Sequence, residues 1–377
     1  MDTITKIREN FPHIKNGIIF LNVASTGPLS KSVIEDMELY IKQNSENDID
    51  GFKAFLSREK YAKKIIAEMI NTTADRIAFV DNTSNGINIL AQGIAWKKGD
   101  RVLLNDLEFP ANVYPFLNLE KEGIIVDFVK SKDGIVTADD LIEQMKPETK
   151  LVSVSQIQFL TGYRIDIEKL GNECRKRGVI FSVDGIQGMG AINPDIKKCS
   201  IDFLSSGTQK WMLGLQGLGF IYLSENLQKN LKQRFVGWKS VVNAWNILDY
   251  DLTLREDASR YQNGTISEIG VYTICASLNF MKEIGYKNIE EMVLNNASYL
   301  TDKLQEIGLN PLLKDCEDNN RSGIVTCKID NAQSLHDELL SKKIHTAVRE
   351  GFIRFSPHFY NNNEDIDKAV DELNKLV

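Results

Sequence analysis

The sequence predicts an α/β protein with a mostly parallel sheet and a smaller C-terminal domain. Between residues 77 and 204, short runs rich in Val, Ile, Leu and Phe alternate with helical patterns, which is typical of βαβ units. After residue 285, longer helical patterns alternate with short strands instead. We therefore expect an N-terminal arm over residues 1–20, a large domain over 21–270, and a small domain over 271–377 that begins with a linking helix.

Composition excludes several classes of protein. The net charge of −7 argues against a nucleic-acid partner, which would favour a basic face. The five cysteines lack CxxC or metal-finger spacing, so we predict reduced thiols and no metal site. The N-terminus lacks the apolar core of a signal peptide, and no apolar run is long enough to span a bilayer. We expect a cytoplasmic protein without a membrane partner.

The first elements are a short helix over residues 4–12 and the segment IIFLNVASTGPLS, in which an apolar run breaks into turn residues at Asn22 and Ser25. That break predicts a loop. It either enters an active site or caps the helix that begins near Ser30, and the residues alone leave both interpretations open. Helical patterns then continue from Lys31 to Ile70.

A strand over residues 77–80 runs into a helix, with Thr83, Ser84 and Asn85 at the junction. A helix N-terminus offers free N–H groups and a positive dipole end to an anion. Hydroxyl groups at such a junction are often only helix caps. Both interpretations stay open, and we regard this junction as a candidate anion site.

Further strands are predicted from the strings RVLLN, GIIVDFV and KLVSVSQIQ, with helices around residues 138–145 and 166–177. The first of these strands leads into Glu108 and Phe109. In isolation Phe109 would be a core residue, although its flat apolar face also suits a flat ligand ring.

Three buried strands surround the most informative residues. VIFSV ends at Asp184, IDFLS leads to Lys210, and GFIY follows a glycine-rich turn. Loops beyond the carboxyl ends of strands form the ligand crevice of open α/β sheets. A lysine among apolar neighbours loses its charge and becomes a nucleophile, and a buried carboxylate needs a cation.

Pyridoxal phosphate meets both needs, because its aldehyde condenses with a lysine and its ring nitrogen is protonated against a carboxylate. An unrelated strand-end Asp184 and surface Lys210 remain the alternative from these residues alone. The string GLQGLG lacks the strand and helix context of a dinucleotide site, so its glycines indicate a tight turn.

In the C-terminal part, helices are predicted over residues 269–284, 289–307, 332–341 and 364–376, with strands at GIVTCKI and FIRFS. Arg354 lies inside the second strand, where a guanidinium without a partner is costly to bury. Its planar fork suits a substrate carboxylate, although a protein Asp or Glu is the alternative partner.

The strings FLN-x-A-x-x-GP, EFPANVYPF, VDGIQ, SSGTQKW, RYQNGTISEIG and FIRFSPHFYNNNEDID resemble segments of the class V aminotransferase group of fold-type I pyridoxal-phosphate enzymes. That group includes cysteine desulfurases, kynureninases and isopenicillin N epimerase-like proteins. The resemblance covers nearly the whole chain. It implies the fold-type I architecture, in which helices flank a mostly parallel, seven-stranded-type sheet and an α+β domain follows, and it implies a homodimer.

The resemblance also implies roles for single residues. Lys210 would form the Schiff base, Asp184 would pair with the pyridinium nitrogen, and Phe109 would stack on the ring; these three are the candidate catalytic residues. Gln187 would donate to the phenolic oxygen. Thr265 would reach across a dimer interface to the other subunit's phosphate. The further cofactor-binding candidates are Thr83, Ser84, Asn85, Gly207, Gln209 and Trp238.

Substrate-binding candidates from the resemblance are Asn22, Ser25, Gln158 and Arg354. Arg354 would hold the substrate α-carboxylate. Many relatives carry Asn at the position of Phe159, so Gln158 is a candidate to take over that polar role.

The sequence departs from the desulfurases of the group at three places. Phe109 stands where they have a stacking histidine, and Gln209 stands where they have a histidine before the lysine. The stretch from Lys328 to Arg354 contains no cysteine, whereas desulfurases carry a nucleophilic one shortly before the arginine. These departures argue against sulfur abstraction.

The prediction that follows is a pyridoxal-phosphate-dependent aminotransferase acting on an amino acid. A C–S or selenocysteine lyase, a kynureninase-like enzyme and an epimerase remain alternatives, with Lys210 as the general acid and base in all of them. Two other classes are less consistent with the residues. The presence of Lys210, Asp184 and Arg354 together argues against a catalytically silent binding module, and the missing fingerprint argues against an NAD(P)-dependent enzyme.

Overall fold

The structure is a computed structural model that describes residues 3–47 and 49–377. The helices described are α1 (Thr3–Glu9), α2 (Pro12–Lys15), α3 (Lys31–Glu46), α4 (Phe52–Met69), α5 (Thr83–Gly93), α6 (Tyr114–Leu117), α7 (Ala138–Gln144), α8 (Ile167–Arg177), α9 (Glu225–Asn230), α10 (Glu268–Ile284), α11 (Tyr286–Glu306), α12 (Ala332–Ser341) and α13 (Asn363–Asn374). The strands are β1 (Ile19–Phe20), β2 (Ile77–Val80), β3 (Arg101–Asn105), β4 (Ile125–Val129), β5 (Thr149–Ser155), β6 (Ile180–Asp184), β7 (Phe203–Gly207), β8 (Gly219–Leu223), β9 (Val325–Lys328), β10 (Ile344–His345), β11 (Ala347–Arg349) and β12 (Phe352–Phe355).

A seven-stranded sheet in the order β2-β8-β7-β6-β5-β3-β4 forms the centre of the large domain. Its strands run parallel except for β8, which is antiparallel to both β2 and β7. The chain between β7 and β8 contains no crossover helix, and a parallel connection would need one. The structure therefore confirms the prediction of a mostly parallel sheet.

Apolar layers cover both faces of this sheet, which explains why its strands appear as continuous apolar runs. Every residue of β7 and β8 is buried. One layer contains side chains from α4, α8 and α10, and the other contains side chains from α5 and from the segment around Phe116.

The parallel strands end at one edge of the sheet, and this edge positions the candidate residues. Asp184 is the last residue of β6, and Lys210 follows β7. Thr83 opens α5 just after β2, and Phe109 follows β3. The described helices include none that combines the length and the apolarity needed to cross a membrane.

The small domain contains an antiparallel sheet in the order β11-β12-β9, packed with α11, α12 and α13. Strand β1, from the other end of the chain, pairs in parallel with β10. Ile19 and Leu21 are part of the same apolar core. The segment around Ile19 and Leu21 thus packs on the small domain, and the predicted boundaries of the arm and the two domains stay predictions.

Candidate active site

Lys210 lies in a tight turn at the carboxyl edge of the sheet. Leu213 adopts a φ of 55° and donates its N–H to the Lys210 carbonyl at 2.9 Å. The loop that contains Gly27 packs against this turn, since the Gly27 N–H donates to the Gln209 carbonyl at 2.7 Å. A Cβ on Gly27 would lie only 2.5 Å from the Lys210 carbonyl oxygen. The predicted loop of residues 22–30 therefore supports the lysine, while its Ser30 also caps α3.

Lys210 and Asp184 influence each other electrostatically. Burial lowers the pKa of Lys210, and the negative charge of Asp184 opposes that shift. Burial raises the pKa of Asp184, whose Oδ1 accepts the Ile186 N–H at 2.9 Å. A cation placed against a buried carboxyl with a raised pKa stabilises its charged form.

Phe109 presents its ring beside the lysine amine. The Lys210 Nζ lies 6.0 Å from the ring centroid, and the ring is 47% exposed, so Phe109 is not a core residue. The ring of Phe159 meets it edge-on at 5.3 Å. The preceding Glu108 anchors this segment, because its buried carboxyl accepts bonds from Asn105, Asn112 and Ser155.

Among the described residues, the N-terminus of α5 holds one buried hydroxyl without a hydrogen-bond partner. Thr83 Oγ1 is buried without a hydrogen-bond partner. Asn82 caps the helix, and its Oδ1 accepts the Asn85 N–H at 2.9 Å. The Asn85 N–H is therefore already bonded within the protein, whereas the Thr83 hydroxyl is free to bind an anion; the phosphate-binding roles of both residues stay predictions. Ser84, between them, is partly buried.

Gln187 belongs to a buried hydrogen-bond chain. Its Nε2 donates to the Ala24 carbonyl at 3.0 Å, and its Oε1 accepts the Trp211 indole N–H at 2.9 Å. The Trp211 carbonyl lies 2.9 Å from His358 Nε2. Because the Phe359 N–H donates to His358 Nδ1, we assign the proton to Nε2, and burial lowers the His358 pKa to about 4. One amide hydrogen of Gln187 is left for a ligand.

Arg354 is buried in β12, with 2% of its surface exposed. Its Nη1 donates to the Phe159 carbonyl at 2.6 Å and its Nη2 to Ser25 Oγ at 2.8 Å. Its Nε is buried without a partner, and no carboxylate of the described residues lies within 4.0 Å. Burial lowers the Arg354 pKa to about 9, so the guanidinium keeps its charge at neutral pH. The structure therefore contains no salt bridge between Arg354 and a carboxylate of the described residues.

Gln158, a predicted polar substrate contact, is hydrogen-bonded to the backbone at both ends of its amide. Its Nε2 donates to the Leu107 carbonyl, and its Oε1 accepts N–H bonds from Leu160 and Thr161 at 2.7 Å each. Both ends of the amide therefore bind the backbone and brace this loop. The sequence indicated a polar side chain at this position. It did not indicate that neighbouring backbone groups would form hydrogen bonds with both the oxygen and the nitrogen of its amide.

The other predicted residues lie as follows. Gly207 ends β7, and a Cβ there would collide with the amide of Gln209. Asn22 forms a bridge with Ser356, and its Oδ1 is buried without a partner. Thr265 is exposed and lines a cavity of about 190 Å³ that Asn85 also lines. Trp238 is 43% exposed and meets the ring of Trp245 edge-on at 5.4 Å.

Sequence reasoning missed two residues that belong to this site. Glu108 anchors Phe109, and its string EFPAN gave no hint that the carboxyl would be buried. Arg349 donates from Nη2 to Ser25 Oγ at 3.1 Å, next to the bond from Arg354. The sequence signal that could have indicated Arg349 is its position directly before the Glu350-Gly351 turn, with Arg354 following on the other side of that turn.

These features fit pyridoxal phosphate. The unpartnered Thr83 hydroxyl suits the phosphate, and the buried Asp184 suits a protonated ring nitrogen. The exposed face of Phe109 beside the Lys210 amine suits the ring itself. The fold and the site thus define a pyridoxal-phosphate-dependent enzyme.

The chain belongs to the class-V aminotransferase family, which matches residues 19–369. It is 27% identical to a probable cysteine desulfurase of Methanothermobacter thermautotrophicus, over 98% of this chain and 97% of that one. It is 26% identical to the uncharacterized aminotransferase YcbU of Bacillus subtilis, over 97% and 96% of the two chains.

Solved structures share the same fold. A cysteine desulfurase from Thermococcus onnurineus NA1, solved in its apo form, superposes with a TM-score of 0.90 at 23% identity, over 100% of this chain and 98% of that one. The cystine C-S lyase C-DES, solved with its product cysteine persulfide, gives 0.88 at 21% identity, over 97% and 99%. At these identities the likeness establishes the fold alone.

Proposed function

We propose that this protein is a pyridoxal-phosphate-dependent aminotransferase that acts on an amino acid. The observation that carries the proposal is the Lys210 amine beside the exposed face of Phe109, with the negative charge of the buried Asp184 acting on that amine. Such an arrangement suits a flat, cationic ring with a reactive carbonyl group.

The side chains have separate tasks in this proposal. Pyridoxal phosphate, when bound, withdraws electrons from the substrate Cα and makes its proton acidic. Lys210 Nζ accepts that proton, and its lowered pKa makes the neutral amine accessible. Arg354 holds the substrate carboxylate and so fixes which bond at Cα faces the amine. Asp184 supplies the buried negative charge that favours a protonated ring nitrogen.

The positions of the thiols favour amine chemistry over desulfuration. Cys327 is fully buried in β9, and burial raises its pKa to about 12. It pairs with Ile353, so it lies on the face of the small sheet opposite to Arg354. Cys316 is partly buried, and burial raises its pKa as well. Neither cysteine has the lowered pKa that a persulfide-forming thiolate requires.

The test is a product screen on protein loaded with pyridoxal phosphate. A visible absorbance band that changes on borohydride treatment is expected first. With amino acids and keto-acid acceptors, we expect a new amino acid and a new keto acid in equal amounts. Ammonia and pyruvate released without an acceptor would instead identify a lyase, and Cα-deuterium exchange with racemisation would identify an epimerase. Sulfide release that requires Cys316 or Cys327 would identify a desulfurase.

We further propose a homodimer with composite sites. Thr265, Trp238 and Trp245 are exposed on this chain, and a partner subunit would cover them. A mixture of Lys210→Ala and Thr265→Ala subunits should then regain activity, because one site of each mixed dimer has both residues intact. A mixture no more active than its two components, or an active monomer in sedimentation, would contradict this proposal.

A further inference from the structure

Arg349 and Arg354 occupy one face of a β-hairpin. In the pairing of β11 with β12, Ala347 lies opposite Arg354, and Arg349 lies opposite Phe352. Directly paired residues share a face, and so do residues two apart along a strand. Arg349 and Arg354 are therefore diagonal neighbours on the same face of the hairpin.

The turn fixes this register. Glu350 and Gly351 connect the strands with φ values of 49° and 79°, which is the two-residue turn whose twist matches a hairpin. A slip by one residue would move Arg349 to the opposite face. The position of the second arginine is therefore determined by the backbone, although its side chain is exposed.

Both guanidinium groups converge on one hydroxyl. Ser25 Oγ accepts from Arg354 Nη2 at 2.8 Å and from Arg349 Nη2 at 3.1 Å. Within residues 3–47 and 49–377, neither guanidinium has a carboxylate within 4.0 Å. Two like charges held side by side without a counter-ion raise the free energy of the ligand-free site.

The remaining charges of the site do not balance these two cations. Arg354 and Arg349 both act to lower the Lys210 pKa, and Asp184 is the acid that opposes them. Pyridoxal phosphate would engage Lys210 and Asp184, and its phosphate would bind at the Thr83 hydroxyl, so both arginines are left for the substrate. An α-carboxylate carries one negative charge, and a second anionic group is needed for the other arginine.

We infer that the amino-acid substrate carries a second carboxylate on its side chain, with Arg354 holding the α-carboxylate and Arg349 holding the side-chain carboxylate. This inference rests on the proposed function. The buried Arg354 binds the inner carboxylate and the exposed Arg349 the outer one, so the substrate extends from the lysine toward solvent.

The first experiment measures kcat/KM for matched pairs, aspartate with asparagine and glutamate with glutamine. We expect at least one acid to exceed its amide by roughly 10- to 100-fold, the worth of one charge-assisted hydrogen bond. Arg349→Gln should lower kcat/KM for the acid far more than for the amide, and Arg349→Lys should keep part of the preference. Lys342→Gln, an exposed cation beyond the end of α12, is the matched control and should keep the full preference.

The second experiment needs no turnover. Calorimetric titration of the protein, with and without pyridoxal phosphate, compares succinate with its mono-amide succinamate. We expect succinate to bind roughly tenfold or more tightly, and we expect Arg349→Gln to remove the difference.

The outcomes separate the inference from the function on which it rests. Without a visible band and without transamination the proposed function fails, and the two titrations then decide the inference alone. With a band and turnover but equal kcat/KM for acids and amides, only the inference is overturned. The inference is also overturned if Arg349→Gln lowers kcat/KM equally for acids and amides, because Arg349 would then help to bind the α-carboxylate.

Discussion

Replacing Arg354 with methionine should make the cofactor-free protein more stable while it destroys substrate binding. The side chain is buried, and no carboxylate of the described residues neutralises it. Burial, and after it the positive charge of Arg349, lowers the Arg354 pKa to about 9, which corresponds to a cost of about 5 kcal/mol for keeping this side chain charged. Losing the bonds to Phe159 and Ser25 costs about 1.5 kcal/mol each. The expected net gain in the free energy of unfolding is about 2 kcal/mol.

The measurement is urea unfolding followed by circular dichroism, at one protein concentration, since dimerisation would make the apparent stability depend on concentration. Arg354→Lys keeps the buried charge and should show no gain. Lys342→Met exchanges an exposed cation and should stay within about 0.5 kcal/mol of the wild type. With cofactor restored, kcat/KM of Arg354→Met should fall by about 100-fold or more. An Arg354→Met protein less stable than the wild type would refute the argument that this charge burdens the fold.

Three further predictions concern the lysine turn and its surroundings. Lys210→Ala should lower turnover by at least about 10³-fold while the circular dichroism spectrum stays unchanged; wild-type-like activity would remove the cofactor assignment. Gly27→Ala should lower the free energy of unfolding by about 1–3 kcal/mol because its Cβ meets the Lys210 carbonyl, whereas Gly51→Ala, with open space around it, should change it little; equal effects would contradict the packing. Burial lowers the His358 pKa from 6.5 to about 4, so the unfolded chain binds this proton first and stability falls as pH drops through that interval, by up to about 3 kcal/mol. His358→Gln should flatten that part of the stability profile, and an unchanged slope would show that His358 is not the group responsible.

The large-domain strands could be predicted because their two buried faces produce continuous apolar runs. The run GFIY, for example, correctly indicated β8. Its antiparallel direction could not be predicted, since periodicity carries no direction and only the short connection through Lys210 decides it. Strand β1 could not be predicted either. Its two residues are too few for a periodic signal, and its partner β10 is distant in the sequence.

For the site, residue types near strand ends were informative and individual contacts were not. Asp184 and Lys210 could be placed together because parallel strands end at one edge, whereas Phe109 was placed beside them only by the family resemblance. For Gln158, a predicted substrate contact, the sequence did not indicate that the surrounding backbone binds both ends of its amide. Arg349 was missed because its exposure and its five-residue distance from Arg354 look ordinary until the hairpin turn sets both on one face.

The pairing of β1 with β10 has a consequence for synthesis on the ribosome. The Leu21 N–H donates to the His345 carbonyl at 2.9 Å, and the Ser356 N–H donates to the Leu21 carbonyl at 2.7 Å. Ser25 follows in the same segment. Chains emerge from the N-terminus, so this segment has no partner until residues 344–356 have been made. The large domain can begin to fold earlier, but Ser25 meets Arg354 only after β12 has been translated, so chains truncated before residue 344 are expected to lack this contact.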